Sequence, residues 1–381
     1  PVLEYLQMTG RAGRPSFDTE GQAIIIAATE SEEDELAERY IHGEPEDIFS
    51  KLAVEPVLRT YLLSLIATGI VGNRPEVMGF FSRTFWSHQY KDFGQLEKIL
   101  DKMLFLLEEW EFISRSDGNK ADFASAAEIK NGTIKSTLLG TRVAQLYLDP
   151  LTAHEMIVGL RKATAKKVAE PVPFQLLQLI SSTLEMRPLL KVKVRELEDF
   201  QSVLAEQGGM LLVEEPSMFE DGYDDFLASV KTAKFFEEWT DEQDEEYLLE
   251  KYGIRPGEVH AKLGNADWLL YSASEIAKLM QLHNLLRHIS KLRFRVRHGV
   301  REELLPLLQL RGIGRVRARK LFSNRIKNLA DVKNADISTL TQVLGSGKLA
   351  IDIKGQLGEK TEAVKEGKRK GQINLNDYGE A

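Results

Sequence analysis

The chain has no cysteine, which excludes disulfide scaffolds, thiolate metal sites and cysteine nucleophiles and is compatible with a reducing cytosol. Histidine is scarce, with seven in 381 residues. His283 and His288 stand five apart without a carboxylate companion, so no metal site is expected. Long apolar runs are missing as well. The best, residues 61–71, is interrupted by Ser64, Thr68 and Gly69, and no membrane span is expected. Pro1-Val2-Leu3-Glu4 has neither a basic start nor a small-residue cleavage site, so no signal peptide is expected, and without an initiator Met the sequence reads as cut from something longer.

What is present is ordinary in amount and uneven in distribution. Hydrophobic residues make up 43% and charged residues 28%, values typical of globular protein, and the length suits two to four domains. The net charge is −8, from 50 Lys+Arg against 58 Asp+Glu. Residues 287–327 nevertheless hold thirteen Lys/Arg against only Glu302 and Glu303, while residues 196–250 hold eighteen acids against Lys231 and Lys234. The first stretch is a candidate phosphate-binding surface, and the second would repel a polyanion.

Hydrophobic spacing predicts a mainly α, multidomain chain. Gly21-Gln22-Ala23-Ile24-Ile25-Ile26-Ala27-Ala28 is a compact apolar run of the kind buried as a strand in a parallel sheet, and its sheet partners would precede Pro1. After an acidic connector come three predicted helices: one carrying Val54 to Ile66, one from Pro75 to about Phe85, and an amphipathic one carrying Leu96 to Leu107. An extended stretch, a polar turn at Asp117-Gly118-Asn119 and a second extended stretch ending near Thr141 follow. Three helices and a hairpin is the order of a winged helix. Residues 150–296 read as about six helices, punctuated by Pro171, Pro173, Pro188, Pro216 and Pro256. Residues 298–356 read as a small helical unit with Gly turns at Gly312-Ile313-Gly314 and Gly345-Ser346-Gly347, and a charged, Gly-rich tail closes the chain.

The strongest motif is Gln7-Met8-Thr9-Gly10-Arg11-Ala12-Gly13-Arg14-Pro15. Glycine permits close backbone approach, and two guanidiniums three residues apart offer bidentate, permanently charged donors to phosphate oxygens. A surface Gly-Arg loop held by acids is the plainer alternative. The second motif is Leu310-Arg311-Gly312-Ile313-Gly314-Arg315-Val316-Arg317-Ala318-Arg319-Lys320, whose Gly turn at a helix N-terminus suits a backbone phosphate. The plainer alternative here is a basic helix balanced by the acidic segment. Lys291-Leu292-Arg293-Phe294-Arg295-Val296-Arg297 alternates basic and apolar residues, as a helix or as an extended linker. Trp268 can stack on a base or fill a core. Gly345-Ser346-Gly347-Lys348 is not a phosphate-binding P-loop, because Leu349 stands where Ser/Thr is needed and Gln342 where the first Gly belongs. No acidic box sits on a buried strand either; residues 241–246 read as a solvated acidic run.

Gln7 to Pro15 resembles motif VI of the superfamily 2 helicases, and Ile41-His42-Gly43-Glu44-Pro45-Glu46 with Lys51-Leu52-Ala53 resembles the Ski-type branch. The whole chain is similar to the C-terminal half of an archaeal Hjm-type DNA repair helicase. The resemblance implies five parts: residues 1–47 as the end of a second RecA-like α/β domain, 48–145 as the winged helix, 146–297 as a helical ratchet bundle, 298–357 as a helix-loop-helix domain akin to helix-hairpin-helix units, and 358–381 as a flexible tail. It implies 3′-to-5′ ATP-dependent unwinding of forked or branched DNA in replication-coupled repair. Gly10, Arg11, Gly13 and Arg14 would meet ATP, with Gln7 coupling them to the nucleic acid. Trp268, Arg311, Arg315, Arg317, Arg319 and Lys320 would meet DNA. Ala261 stands where some members carry a ratchet Arg; its basic neighbours His260 and Lys262 are the two candidates to replace it, and Lys262 is counted with the residues that would meet DNA. Arg317 and Arg319 are the pair expected to restrain the departing strand.

The ATP-binding lysine and Mg²⁺-binding acids of such enzymes are not in this sequence, so ATP and Mg²⁺ belong to the intact enzyme and the chain alone should not hydrolyse ATP. The expected partners are forked or single-stranded DNA, the remaining RecA-like motor half, and single-strand-binding or replication-clamp proteins, with no membrane. A monomer in the prokaryotic cytoplasm, associated with the nucleoid, is implied. Two other readings stand beside this one: a non-catalytic adaptor joining nucleic acid to protein, favoured by the acidic segment, and an RNA helicase of the same branch.

Overall fold

A computed structural model describes residues 1–13, 16–18, 20–52, 54–90, 92–116, 132–165, 173–207 and 209–359. The Asp117-Gly118-Asn119 turn, Ala53, Arg14, Pro15, Pro171 and the tail beyond residue 359 lie outside the described residues. No helix is long and apolar enough to cross a membrane among the described residues.

The chain opens with α1 (Val2–Thr9), whose free backbone N–H groups are met from a distance. Val2 N and Leu3 N donate to the two carboxylate oxygens of Glu46 at 2.6 and 3.1 Å, and these bonds hold the Glu46 carboxyl below the usual carboxylate range. Thr29 Oγ1 accepts from Glu32 N and caps α2 (Glu30–Leu36), and the Glu32 carboxylate accepts from Ala28 N. Residues 21–28 correct the expectation of a buried strand. No strand is assigned there, and Ile24 and Ile26 are 80% and 89% exposed. A strand needs neighbours for its N–H and C=O groups, and none pairs with this run among the described residues.

Four helices, not three, precede the hairpin: α3 (Glu55–Ala67), α4 (Arg74–Phe81), a short α5 (Phe85–Tyr90) and α6 (Phe93–Glu109). Pro sits in the first turns of α3 and α4, and Asn73 and Asp92 cap α4 and α6 through side-chain oxygens. Strands β1 (Ile113–Ser116) and β2 (Thr133–Ser136) pair antiparallel, with Ile113 opposite Ser136. The extended stretch expected to reach Thr141 stops at Ser136, because Thr137 accepts from Gly140 N and starts α7 (Leu138–Leu146). Gly140 is required there, since a Cβ would lie 1.9 Å from Phe112 O.

The bundle that follows comprises α8 (Pro150–Ala165), α9 (Pro173–Ser181), α10 (Leu197–Gln207), α11 (Tyr223–Thr240), α12 (Glu245–Tyr252), α13 (Pro256–Leu279) and α14 (His283–His298). Residues 174–181 of α9 are all buried, so this helix is the bundle's axis. A single core runs from Leu58 on α3 to Val296 on α14. The hairpin module is fastened to the bundle by polar links: the buried Arg59–Asp149 ion pair, with Nη2 donating to Oδ2 at 2.6 Å, and Arg142 of α7 reaching Glu275 and Tyr271 on α13.

A second core, from Val300 to Ile353, belongs to α15 (Arg315–Ser323), α16 (Leu329–Asn334), α17 (Ile337–Leu344) and α18 (Gly347–Gln356). Ser346 accepts from Leu349 N and caps α18, so Gly345-Ser346-Gly347-Lys348 is a helix junction. Between the cores lies Gly299, with φ +60°. A Cβ there would come within 2.7 Å of the Trp239 ring, whose Nε1 donates to Val296 O at 2.7 Å.

Candidate nucleic-acid interface

The basic stretch folds into two helices on either side of Gly299. On α14, Leu285, Ile289, Leu292 and Val296 are buried at helical spacing. All five of its Lys/Arg residues therefore fall outside the core stripe. Arg293 forks onto Asp267 of α13, with Nε and Nη2 each 2.9 Å from a carboxylate oxygen, and lies 4.8 Å over the Tyr271 ring. Arg295 reaches Thr240 and Asp241 at the end of α11.

Beyond Gly299, the Gly312-Ile313-Gly314 turn leads directly into α15. Gly312 has φ +82°, and Gln356 closes the turn by accepting from Arg311 N at 2.8 Å and donating to Arg311 O at 3.2 Å. Helical geometry then divides the cations. Arg315 and Arg319, four apart, face the bundle, whereas Arg311, Arg317 and Lys320 are exposed, with Arg317 Nη1 donating to Gly312 O at 2.8 Å. Arg315 lies 4.8 Å over the Trp239 ring and donates to the carbonyls of Glu242 and Gln243, both at 2.8 Å. Arg319 donates through Nε to Glu242 at 2.7 Å and through Nη2 to Glu303 at 2.9 Å. The bond to Glu242, with Glu303 beside it, raises the Arg319 pKa. For Glu242, burial works upward, but the Arg319 guanidinium and the Arg301 N–H outweigh it and hold the carboxyl below its ordinary value.

This corrects the grouping of Arg317 with Arg319. They sit on one helix in different surroundings, since Arg319 is held in ion pairs and Arg317 is open to solvent. The acidic run at residues 241–246 is likewise not simply solvated, because Asp241 and Glu242 bind Arg295, Arg301, Arg315 and Arg319 through side chains or backbone. The plainer alternative, a basic helix balanced by the acidic segment, holds for Arg315 and Arg319. Glu242 and Trp239 were not legible as an interdomain seat, and the one sequence signal was the surplus of acids opposite a surplus of cations.

On α13, Lys262 is a second correction. It is 8% exposed, and its Nζ donates to Pro188 O at 2.5 Å and Met186 O at 3.4 Å; burial lowers its pKa. Its ammonium closes a loop and does not reach the surface. Trp268 is half-buried, packs on the main core and donates through Nε1 to Leu146 O at 3.0 Å.

At the N-terminal end, Gln7 and Arg11 are exposed on α1 and the turn after it. Gly13 has φ +82°, and Gly21 crosses so close to Ala12 that a Cβ would lie 2.3 Å from its carbonyl oxygen. Arg11 has no ion pair among the described residues. It lines an open cavity of about 700 Å³ with Tyr5, Met8, Gln22, Ile24 and Tyr40. Among the described residues no cluster of three or more His, Asp or Glu is placed to hold a metal ion.

Two family patterns match the segments just described. Residues 174–299 match the family described as archaeal helicase, domain 4, and residues 304–351 match a SAM-like helix-hairpin-helix tandem. ATP-dependent DNA helicase Hel308 of Thermococcus kodakarensis is 39% identical over 99% of this chain and 32% of its own length. The Hel308 proteins of Methanocella arvoryzae and Pyrococcus horikoshii are each 37% identical, over 95% and 98% of this chain and 47% and 49% of theirs. Over nearly all of its length the chain is similar to Hel308 helicases. It spans about a third to a half of the length of these Hel308 relatives. The Hel308 likeness covers both cores, and the helix-hairpin-helix match includes the Gly312 turn and α15.

Proposed function

We propose that the chain is the DNA-engaging C-terminal part of an ATP-dependent Hel308-type helicase that moves 3′ to 5′ along one strand of forked or branched DNA in replication-coupled repair. The observation that carries this reading is the exposed cation group at the Gly turn, Arg311, Arg317 and Lys320, within a helix-hairpin-helix match on a chain similar to Hel308 helicases. Amides at the N-terminus of α15 and these side chains would take backbone phosphates without reading bases. Trp268 would present its free face to a base while its Nε1 stays fixed on Leu146. Residues 1–47 serve as the end of a RecA-like domain and residues 48–145, with their hairpin, as a winged helix. Residues 146–297 serve as the ratchet and 298–357 as the helix-loop-helix unit.

In this reading Arg11 and Arg14 approach ATP held mainly by the motor half. Arg11 is exposed and free of ion pairs among the described residues, which suits an anion. A guanidinium there would neutralise charge on the transferring phosphoryl group, while Gly10 and Gly13 keep the turn narrow and Gln7 links α1 to the strand. Mg²⁺ would be held outside this chain, and the chain alone should not hydrolyse ATP.

Anisotropy with labelled single-stranded, forked and duplex DNA, and with RNA of the same sequence, tests the reading across a salt series. Binding to forks and single strands that falls steeply with salt, and weakens in an Arg317→Ala/Lys320→Ala variant, supports it. Equal or tighter binding of RNA would move the substrate to RNA, and no binding at low salt would favour the adaptor.

A further inference from the structure

One surface of the bundle is not accounted for by the ratchet residue or the Gly turn. Opposite its buried stripe, α14 presents Arg287, Ser290, Lys291, Phe294, Arg297 and His298, spaced by three and four and therefore aligned along one face. The helix contains five Lys/Arg and no acid. Phe294 is 54% exposed although it is the only Phe on the helix, and its ring lies parallel to that of His298, with centroids 6.3 Å apart and an interplanar angle of 11°. An exposed Phe beside a half-buried His, bordered by cations on both sides, has the composition of a stacking platform with phosphate contacts and not that of a core.

Two of the cations are only loosely satisfied, and Lys291 is held in a close pair at the surface. Arg297 is 56% exposed and stands 3.7 Å from Asp267 Oδ2, which Arg293 already binds closely. Arg287 has no ion pair among the described residues, and Lys291 meets Glu302 at an exposed pair. Exposed pairs of this kind yield readily to a polyanion. The face adjoins α13 at Asp267, the residue before Trp268.

We propose that this face of α14 is a second single-strand contact. A base stacks on Phe294 beside His298, and the flanking phosphates lie on Arg297 and on Arg287 or Lys291. The contact is independent of base identity and spaced from Trp268 along the same strand. The proposal rests on the DNA-binding reading above.

The test uses the full chain with fluorescein-labelled oligo(dT), and with the same strand carrying 2-aminopurine. Phe294→Ala should weaken binding about tenfold and abolish part of the 2-aminopurine quenching, whereas Phe294→Trp should retain both. Arg297→Gln should make the dependence of log affinity on log salt shallower by about 0.7. Because Phe294 is exposed, the thermal midpoint should not move in either Phe294 variant. Tight binding by the parent with Phe294→Ala within twofold of it would overturn this proposal and leave the broader reading intact. Equal weakening in Phe294→Trp would overturn the stacking, and absence of single-strand binding by the parent at low salt would overturn both.

Discussion

Replacing Glu242 by glutamine should loosen the second core from the bundle while leaving each core folded. Glu242 takes two bonds from the Arg319 guanidinium and one from Arg301 N, and its side chain is 17% exposed against 33% for Arg319. A hydrogen bond to a charged group contributes about 1.5–3 kcal/mol, and partial exposure with salt screening reduces that for a pair near the surface. Glu303 also keeps a hold on Arg319 in the variant. The expected loss is therefore about 1–2 kcal/mol, or roughly a five- to thirtyfold rise in the undocked population. Native-state hydrogen exchange is the suitable assay, because it reads sub-global opening that a single melting curve averages away. Amides in α15 and at residues 300–313 should exchange faster by that factor, with those of α9 and α13 unchanged. Unchanged exchange in α15 would refute the role given to the ion pair. So would an equal rise in α9, which would mean that the two cores open together.

The same contact carries a pH signature. Glu242 has its pKa lowered on folding from an ordinary value of 4.5, so its contribution is present above that value and is lost as the pH falls through the lower folded one; α15 should open below about pH 4.5 while still protected at pH 7, as hydrogen exchange at the two pH values would show. Gly299→Ala should destabilise by about 1–3 kcal/mol, since the added Cβ meets the Trp239 ring at a positive φ, and differential scanning calorimetry should show the loss. Lys262→Ala strands the carbonyls of Met186 and Pro188 and should cost about 1–3 kcal/mol in urea unfolding. The salt dependence of its DNA binding should match the parent's, and a shallower dependence would return Lys262 to the surface. The Arg317→Ala/Lys320→Ala pair should make that dependence shallower by about 1.4 on single strands, with no change in urea midpoint.

Much of this protein was legible in local pattern. Spacing alone placed the helix around Leu96 to Leu107, the helical character of residues 150–296 and the Gly turn before α15, because 3.6-residue periodicity and glycine turns are properties of a few neighbouring residues. The resemblance to the Ski-type helicases rested on short motifs in the same way. Other features depended on residues remote in sequence. The apolar run at residues 21–28 has strand composition, but a strand exists only with a ladder partner, and the described residues supply none. Lys262 reads as a surface cation until the loop carrying Met186 and Pro188 closes over it. Arg315, Arg317 and Arg319 are alike as letters. Only the placement of Trp239 and Glu242 against one side of α15, across the Gly299 junction, holds two of them in ion pairs or on a ring and leaves the third open to solvent. The sequence by itself determined most of the helical segments, though not α5 or the start of α7, and which stretches are cationic. The tertiary structure decided which cations remain free, because pairing depends on what charge lies within about 4 Å and not on what lies nearby in the chain.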